Sequence, residues 1–201
     1  MKLYYSPASC SLSPHIVVCE TDLSVELVKV DLQSHKLENG DNYLDINPCG
    51  YVPALELDNG EFLYEGPAII QYLADLAPEK NLAPKPGTFE RAKLQQHLNF
   101  LTAELHKALG PLFNPAIPDE VKGTFVEGYA NRLGQLVDAL GDKDYLLGDE
   151  YSVADAYLFV ILNWHPFFDF DASAWPSLAA FQERVGARPA VQQALKEEGL
   201  I

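Results

Sequence analysis

YYSPASCSLSPH, at residues 4–15, is the stretch on which the fold of this chain depends. The apolar residues that lead into it indicate the end of a strand, and the residues from Ser13 onward indicate a helix. Ser13 is predicted as the N-cap and Pro14 as the first helical residue, where the N–H that proline lacks would have no partner. Cys10 would then lie near unpaired N–H groups at the positive end of a helix, which favours a negative group there. The alternative is that Cys10 is an inert, semi-buried residue.

Strand and helix patterns alternate on both sides of this turn. Residues 2–5 are a short apolar strand, and the helix after the turn is expected to end near Thr21. Alternation of apolar and polar residues predicts a second strand over 25–30, and residues 32–50 are polar and turn-rich. Two strands joined through a helix should be parallel.

A β-hairpin is the clearest local signal in the sequence. Residues 54–57 and 61–64 are strand-like, and Asp58-Asn59-Gly60 lies between them. The Asn-Gly pair accepts the positive φ angles of a type I′ turn. Glu65-Gly66-Pro67 then opens a helix with apolar residues three and four apart, so the hairpin should add an antiparallel edge to the sheet.

Residues 78–88 contain three prolines and a glycine and are interpreted as an interdomain linker. The predicted domains are therefore residues 1–80 and 87–201. Beyond the linker the patterns predict helices only. The first two of these cover about 89–109, which Gly110-Pro111 should stop, and about 119–140.

A capping-box-like start is recognisable in Ser152-Val153-Ala154-Asp155. The helix that follows, through Leu162, is apolar nearly all round, so it should be the buried centre of the second domain. Two more helices are expected to begin at Trp175-Pro176 and after Arg188-Pro189.

The composition of the 201 residues excludes several classes of protein. No apolar run approaches the roughly 20 residues of a membrane helix, and no signal-peptide pattern opens the chain. Three cysteines without a CxxC motif favour a reducing compartment, and the five histidines show no paired ligand spacing with the cysteines, so no metal site is expected. The net charge of −15 disfavours nucleic acids and anionic membranes. Small molecules are the expected partners of this intracellular protein.

The first half resembles a thioredoxin-type fold, with a cysteine at the first strand–helix turn and an Xaa-Pro before the third strand. The Val52-Pro53 bond would be the cis-proline bond of that fold. Its use would be to let the backbone of Val52 pair with an extended peptide beside the sheet. The alternative is an ordinary trans proline that opens a strand.

With an all-helical second half, the whole chain resembles the cytosolic glutathione S-transferases. The best match is the bacterial beta class, which has a cysteine at the thiol position. The motifs are weak singly but specific together, and they occur in order along the chain: Ser9-Cys10-Ser11-Leu12, Glu38-Asn39-Gly40, Asn47-Pro48-Cys49-Gly50-Tyr51-Val52-Pro53-Ala54-Leu55, Tyr64-Glu65-Gly66, Thr102-Ala103-Glu104-Leu105-His106-Lys107, and Ser152-Val153-Ala154-Asp155-Ala156-Tyr157.

The resemblance implies an α/β thioredoxin-like domain (βαβ-α-ββα) that binds glutathione and an all-α domain that contributes the electrophile pocket. It implies a cytoplasmic, homodimeric detoxification enzyme that adds the glutathione thiolate to small hydrophobic electrophiles. Glutathione would be a co-substrate, with no permanently bound cofactor, no metal, and neither nucleic acid nor membrane as a partner.

The resemblance also implies the residues of the site. Cys10 would donate a hydrogen bond to the bound thiolate or form a mixed disulfide with glutathione, and Ser11 and His106 would support either role. The implied electrophile pocket consists of Tyr5, Pro7, Phe113, Trp164 and Phe167, with Phe168. The implied glutathione contacts are Cys10, His35, Val52, Pro53, Glu65, Gly66, Asn99, Ala103, Glu104, Leu105, His106 and Lys107.

Physical chemistry supports two of these contacts and questions a third. Glu65-Gly66 lies at a helix N-terminus, where N–H groups can hold the γ-glutamyl carboxylate while Glu65 takes the ammonium. Positions 99, 103 and 106 share a helix face by the three-and-four rule, with 104 and 107 beside it. At position 35 the family has a lysine and this chain has His35, which is mostly neutral above about pH 6.5.

Two other functions remain open at this point. Cys10 with Ser13 forms C-x-x-S, which permits a monothiol glutathione-dependent oxidoreductase and disfavours dithiol disulfide reduction. The second is a non-catalytic binding module with a transferase fold, against which Cys10, Glu65 and His106 argue.

Overall fold

A five-stranded sheet organises the first part of the chain in the computed structural model, which describes residues 1–168 and 170–201. The strands lie in the order β3-β2-β1-β4-β5. β1 pairs with β2 in parallel and with β4 in antiparallel fashion, as predicted, and the two-residue β3 lies in the segment that was predicted as turns. The strands are β1 (Lys2–Tyr5), β2 (Glu26–Asp31), β3 (Lys36–Leu37), β4 (Ala54–Glu56) and β5 (Phe62–Tyr64).

The described helices agree with most of the predicted ones. Short 3₁₀ turns lie at Tyr43–Asp45, Pro78–Lys80 and His165–Phe168. None of the described helices combines the length and the apolar character needed to cross a membrane. The α-helices are α1 (Leu12–Thr21), α2 (Gly66–Leu76), α3 (Phe89–Phe100), α4 (Lys107–Phe113), α5 (Asp119–Leu140), α6 (Val153–Leu162), α7 (Pro176–Gly186) and α8 (Pro189–Glu197).

The chain divides into two structural units. The first comprises residues 1–83 together with 187–201, and the second comprises residues 84–186. The C-terminal boundary therefore differs from the predicted 87–201, because α8 packs on α1 of the first unit. The fold is that of a thioredoxin-like unit followed by a helical unit.

The start of α1 differs from the prediction. Ser11, not Ser13, precedes the helix, and Ser13 lies inside it with its Oγ donating to the carbonyl of Cys10 at 2.9 Å. The prediction of Ser13 as N-cap is wrong because the chain is already coiled: the N–H of Leu12 bonds to the carbonyl of Ser9 at 3.1 Å.

The hairpin forms as predicted, but its turn is of another type. Gly60 has φ +83°, whereas Asn59 is absent from the described residues with positive φ, so a type I′ turn is excluded. The N–H of Gly60 bonds to the carbonyl of Leu57 at 2.9 Å, and the N–H of Leu57 bonds to the carbonyl of Glu61 at 2.8 Å. The loop therefore has three residues, with Gly60 in the left-handed position.

Polar contacts hold α8 against α1. Fully buried His15 contacts Glu198 through Nδ1 (2.9 Å) and Glu197 through Nε2 (2.7 Å). Burial lowers the pKa of His15, but hydrogen bonds to Cys19, Glu198 and Glu197 outweigh it and raise the pKa to about 10. His15 is therefore positively charged at neutral pH and pairs with the side-chain carboxylates of Glu197 and Glu198.

The centre of the helical unit is α6, as predicted. All ten of its residues are buried. The predicted capping box is present: Asp155 accepts hydrogen bonds from the N–H and hydroxyl of Ser152, at 2.8 and 2.7 Å. Its other oxygen accepts from the N–H of Leu146 at 2.8 Å, which ties the preceding loop to the helix.

The long helix predicted over 89–109 has a different course. A π-helical segment, Leu101–His106, interrupts it, and the N–H of Lys107 bonds to the carbonyl of Thr102, five residues back. The helix then continues through Pro111 to Phe113, so the prediction that Gly110-Pro111 stops it is wrong. Proline inside a helix removes one N–H donor and crowds the carbonyl four residues back, and α4 ends two residues after Pro111.

Candidate active site

Serine hydroxyls hold the turn between β1 and α1. The Oγ of Ser11 accepts from the N–H of Ser6 at 3.0 Å and contacts the Oγ of Ser9 at 2.7 Å. Ser11 is fully buried, so its hydroxyl shapes the turn and does not reach a substrate. The supporting role that the resemblance implies for Ser11 stays a prediction, and this geometry allows it through the shape of the turn.

Cys10 is half-buried in this turn, and its thiol donates to the carbonyl of Val52 at 3.2 Å. Burial raises the pKa of Cys10 to about 12, and the negative charge of Glu65 adds to the rise. The backbone N–H groups of Cys10 and Ser11 lower the pKa, but by less. The helix N-terminus therefore acts on the thiol in the expected direction, but burial outweighs it and the pKa of Cys10 is raised.

The Val52–Pro53 bond is cis, which the thioredoxin resemblance implied. Two residues that the sequence analysis missed fix the chain just before it. The hydroxyl of Tyr43 and the side-chain amide of Asn47 both donate to the carbonyl of Tyr51, at 2.8 and 2.7 Å. Both are buried, so the backbone beside Cys10 is held rigidly.

Glu65 and Gly66 begin α2 next to this segment. A Cβ on Gly66 would lie 3.8 Å from Cγ of Pro53, which brings the start of α2 to the cis-proline. Glu65 is exposed and has φ +69°, a strained backbone angle for a residue with a side chain. Its side chain makes no capping bond to α2. Pro67 has no N–H, and the N–H groups of Ala68 and Ile69 bond to the carbonyl of Glu65, both at 3.0 Å. The N–H of Gly66, at the positive end of α2, is thus the group suited to an anion.

His35 packs against the loop before the cis-proline. A Cβ on Gly50 would lie only 2.7 Å from Cε1 of His35, so the imidazole needs a glycine beneath it. Within the described part of the chain, buried Nδ1 of His35 has no hydrogen-bond partner. Lys36, which could replace His35 as a cation, is exposed in β3.

The second unit carries its own group of candidate residues around His106. Nδ1 of His106 is 2.6 Å from the hydroxyl of Tyr157, and its ring packs on Trp164 with centroids 4.8 Å apart. Burial lowers the pKa of His106 to about 4, and Lys107 adds to the effect. His106 is therefore a neutral imidazole at physiological pH.

Part of the predicted electrophile pocket is an aromatic cluster in the second unit. Phe113 is 54% exposed and packs edge-on against Trp164 and Phe168, with ring centroids 6.1 and 4.5 Å away. Phe167 is exposed, while Tyr5 is a core residue of the first unit that packs on His15. Pro7 is half-buried in the turn before Cys10.

The remaining predicted contacts lie on the long helix and differ in exposure. Asn99, Ala103 and Lys107 are exposed, and Glu104 is paired with Arg132 at 2.7 Å. Leu105 is fully buried in the core, and the glutathione contact that the resemblance implies for it stays a prediction. The helix face predicted for positions 99, 103 and 106 is not formed as expected, because the π-helical turn shifts positions 103 and 106 relative to position 99 on α3.

Sequence reasoning missed two residues that orient the candidate groups. Tyr157 belongs to a motif used for the resemblance, but nothing in its position indicated the hydrogen bond to His106. Glu198 accepts from the N–H of Ala8 at 3.0 Å and so joins the chain's end to the Cys10 turn. A contact across 190 residues leaves no local sequence signal.

Comparison with known proteins identifies the class of the chain. Two family models match it, "Glutathione S-transferase, N-terminal domain" over residues 3–81 and "Glutathione S-transferase, C-terminal domain" over residues 100–189. Glutathione S-transferase GstA of Escherichia coli O157:H7 is 43% identical over 200 residues, which are 100% of each chain. The chain therefore belongs to the glutathione S-transferase family and functions as a glutathione transferase.

Solved structures narrow the class further. A sphingomonad glutathione S-transferase complexed with glutathione is 47% identical, with a TM-score of 0.96 over 100% of both chains. A bacterial beta-class glutathione S-transferase from Sphingomonas chungbukensis is 50% identical, again with a TM-score of 0.96 over 100% of both chains. The chain is accordingly of the bacterial beta class, and a thiol–disulfide oxidoreductase is not favoured.

Proposed function

We propose that this transferase joins the sulfur of glutathione to small hydrophobic electrophiles and that Cys10 activates this sulfur as a hydrogen-bond donor. The observation that carries the proposal is the thiol of Cys10, which donates to the carbonyl of Val52 next to the cis-proline. An extended peptide that pairs with the backbone of Val52 would bring its cysteinyl sulfur close to Cys10.

The two ends of glutathione find suitable groups in the same unit. The open N-terminus of α2 suits the γ-glutamyl carboxylate, and exposed Glu65 suits the ammonium. The strained φ angle of Glu65 fits this role, because such angles occur where a ligand is held. His35 or Lys36 would meet the glycine carboxylate. Exposed Asn99, Ala103 and Lys107, half-buried Glu104 and buried Leu105 complete the proposed set.

The chemistry follows from the state of Cys10. A thiol whose pKa is raised to about 12 stays protonated and donates to an anion. Glutathione loses its thiol proton to solvent, and the resulting thiolate accepts the S–H of Cys10. The thiolate then attacks the electrophile, a C–S bond forms, and a leaving group such as chloride departs with the electron pair of its bond. A mixed disulfide would instead need the thiolate of Cys10.

His106 is proposed as the contribution of the second unit to this reaction. With Nδ1 next to the hydroxyl of Tyr157, Nε2 is the ring nitrogen that we propose for contact with a substrate. The cluster of Phe113, Trp164 and Phe168 would bind the electrophile, which favours flat apolar molecules. We include Phe167, Tyr5 and Pro7 in the proposal as further residues that line the electrophile pocket. The natural electrophiles would be substrates of detoxification.

Cys10→Ser and Cys10→Ala together test the donor role. A serine hydroxyl still donates, so Cys10→Ser should keep most of the conjugation of a chlorinated nitroaromatic. Cys10→Ala loses a hydrogen bond to an anion, worth about 1.5–3 kcal/mol, so the pKa of bound glutathione should rise by about one to two units. The measurement is the pH profile of kcat/KM and the thiolate absorption of bound glutathione.

Two results would overturn the donor role. Equal losses of conjugation in both variants would mean that the sulfur of Cys10 itself is required. An unchanged pH profile in Cys10→Ala, with only thiol-transfer activity lost, would mean that Cys10 serves exchange chemistry.

Assembly and location are also proposed. The resemblance favours a cytoplasmic homodimer that needs no permanently bound cofactor and has neither nucleic acid nor membrane as a partner. Light scattering should give twice the mass of one chain, and a single-chain mass would contradict the dimer. Retention on immobilised glutathione with turnover would exclude a non-catalytic binding module.

A further inference from the structure

A second cluster of reactive side chains lies in the first unit, among residues that the transferase reaction does not use. A ring nitrogen of His15, Sγ of Cys19 and a carboxylate oxygen of Glu197 all lie within 4.8 Å of one another, and Nε2 of His15 is 2.7 Å from an oxygen of Glu197. The expectation that no histidine has ligand spacing with a cysteine is wrong, because His15 and Cys19 are four residues apart on α1 and so share one face. Glu197 reaches the same point from the end of α8.

The orientation of His15 is fixed from behind. Its Nδ1 bonds to Glu198 at 2.9 Å, and the second oxygen of Glu198 accepts from the N–H of Ala8 at 3.0 Å. A carboxylate on the far nitrogen of a histidine is the usual outer partner of a metal-binding imidazole, because it holds the ring and increases its basicity. His15 therefore presents Nε2 toward Cys19 and Glu197 in a fixed direction.

The cluster opens into a cavity of about 250 Å³ that no step of the proposed reaction uses. His15, Cys19 and Glu197 line it together with Asp22 and Gln193. A water molecule takes about 30 Å³ in the liquid, so the cavity has room for an ion and for water as a fourth ligand. His15 is fully buried, whereas the side chain of Glu197 is 40% exposed, which leaves a route for an ion to enter.

We propose that His15, Cys19 and Glu197 bind a divalent zinc ion, with water in the fourth position. Nitrogen, thiolate sulfur and carboxylate oxygen are the donors that zinc prefers, at about 2.0–2.3 Å. A tetrahedral site then separates neighbouring donor atoms by roughly 3.3–3.7 Å. Nε2 of His15 and the nearer oxygen of Glu197 are now 2.7 Å apart, so the two side chains must separate by roughly half an ångström to an ångström.

The charges of the cluster suit a cation. The carboxylates of Glu197 and Glu198 already flank His15, and Asp22 lies at the same cavity. On binding, the thiol proton of Cys19 and the Nε2 proton of His15 leave to solvent, and the ion replaces them. The ion would then link α1 to α8 more tightly than the hydrogen bonds do.

Cobalt(II) is the probe for this site, because a cobalt–thiolate bond has a charge-transfer absorption that nitrogen and oxygen ligands do not produce. The full chain, stripped with a chelator, should bind one equivalent of cobalt with this absorption, and zinc should displace it. Cys19→Ser should abolish the absorption, and Glu197→Gln should weaken the affinity at least tenfold. Cys49→Ser, at an exposed cysteine, is the matched control and should retain both, as should Cys10→Ser.

A measurement on the unmodified chain covers the case in which a variant fails to fold. Zinc should slow alkylation of Cys19 at least tenfold without slowing that of Cys49, as read by mass spectrometry of each peptide. Absorption that persists in Cys19→Ser, or equal protection of both cysteines, would show adventitious metal only. A chain that binds no cobalt would show that the cluster serves only to clamp α8 to α1. Neither readout involves glutathione, so the outcome is independent of the transferase mechanism.

Discussion

Asp155→Asn should weaken the helical unit by about 3 kcal/mol. The substitution conserves volume but places an NH₂ group where a carboxylate oxygen now accepts from the N–H and hydroxyl of Ser152, at 2.8 and 2.7 Å. That buried N–H loses its acceptor, which costs about 1–3 kcal/mol. The bond from the N–H of Leu146, at 2.8 Å, changes from a charged to a neutral acceptor at a cost of about 1 kcal/mol.

The sum matters because a domain is usually stable by only about 5–15 kcal/mol. Asp155 is fully buried and begins α6, whose ten residues are all buried, so no solvent can compensate for the lost bonds. Urea unfolding followed by circular dichroism and by tryptophan fluorescence measures the effect, as a lower midpoint with an unchanged slope.

Asp31→Asn is the matched control. Asp31 accepts from the N–H of Gln33 at 2.9 Å and from the hydroxyl of Ser34 at 2.7 Å, the same kinds of bond, but it is exposed. Water can replace these partners, so the loss should stay below about 1 kcal/mol. If Asp155→Asn destabilised the chain no more than Asp31→Asn does, the argument from burial would be refuted.

Three further predictions concern charge. Burial lowers the pKa of His106 and of His165 to about 4, so both side chains are neutral in the folded chain at neutral pH. The free energy of unfolding should therefore fall as the pH drops from about 6.5 toward 4, by up to about 3 kcal/mol per histidine. His165→Gln should reduce this fall, as measured by urea midpoints across that range. The partly exposed pair of Glu104 and Arg132 should matter little, so Arg132→Gln should change unfolding free energy by less than about 1 kcal/mol, and a larger loss would contradict this. Glutathione should bind more weakly at pH 8 than at pH 6, because position 35 carries a histidine where the family has a lysine; calorimetric affinities that are flat with pH would refute it.

Elements whose determinants are local could be predicted from the sequence. The hairpin, the parallel pair of β1 and β2, the capping box of α6 and the bounds of α5 follow from apolar periodicity and from turn residues. These signals act over a few residues, so tertiary packing did not need to be known.

Elements set by irregular or distant contacts could not be predicted. In the π-helical turn at Leu101–His106 the backbone hydrogen bond spans five residues instead of four, and nothing in the residue composition signals this change. The shared face predicted for positions 99, 103 and 106 assumed the α-helical period, which this π-helical turn interrupts. The bond from Ala8 to Glu198 is invisible for another reason, since it joins opposite ends of the chain.

Cys10 shows how tertiary structure reverses a correct local argument. Its place before α1 does supply two N–H groups that lower the pKa of its thiol. Folding also buries that thiol under the Val52 carbonyl and brings Glu65 near, and both changes disfavour a negative sulfur. Burial outweighs the helix terminus, so the pKa of the thiol is raised. This balance is why we propose Cys10 as a hydrogen-bond donor to the sulfur of glutathione and not as the nucleophile.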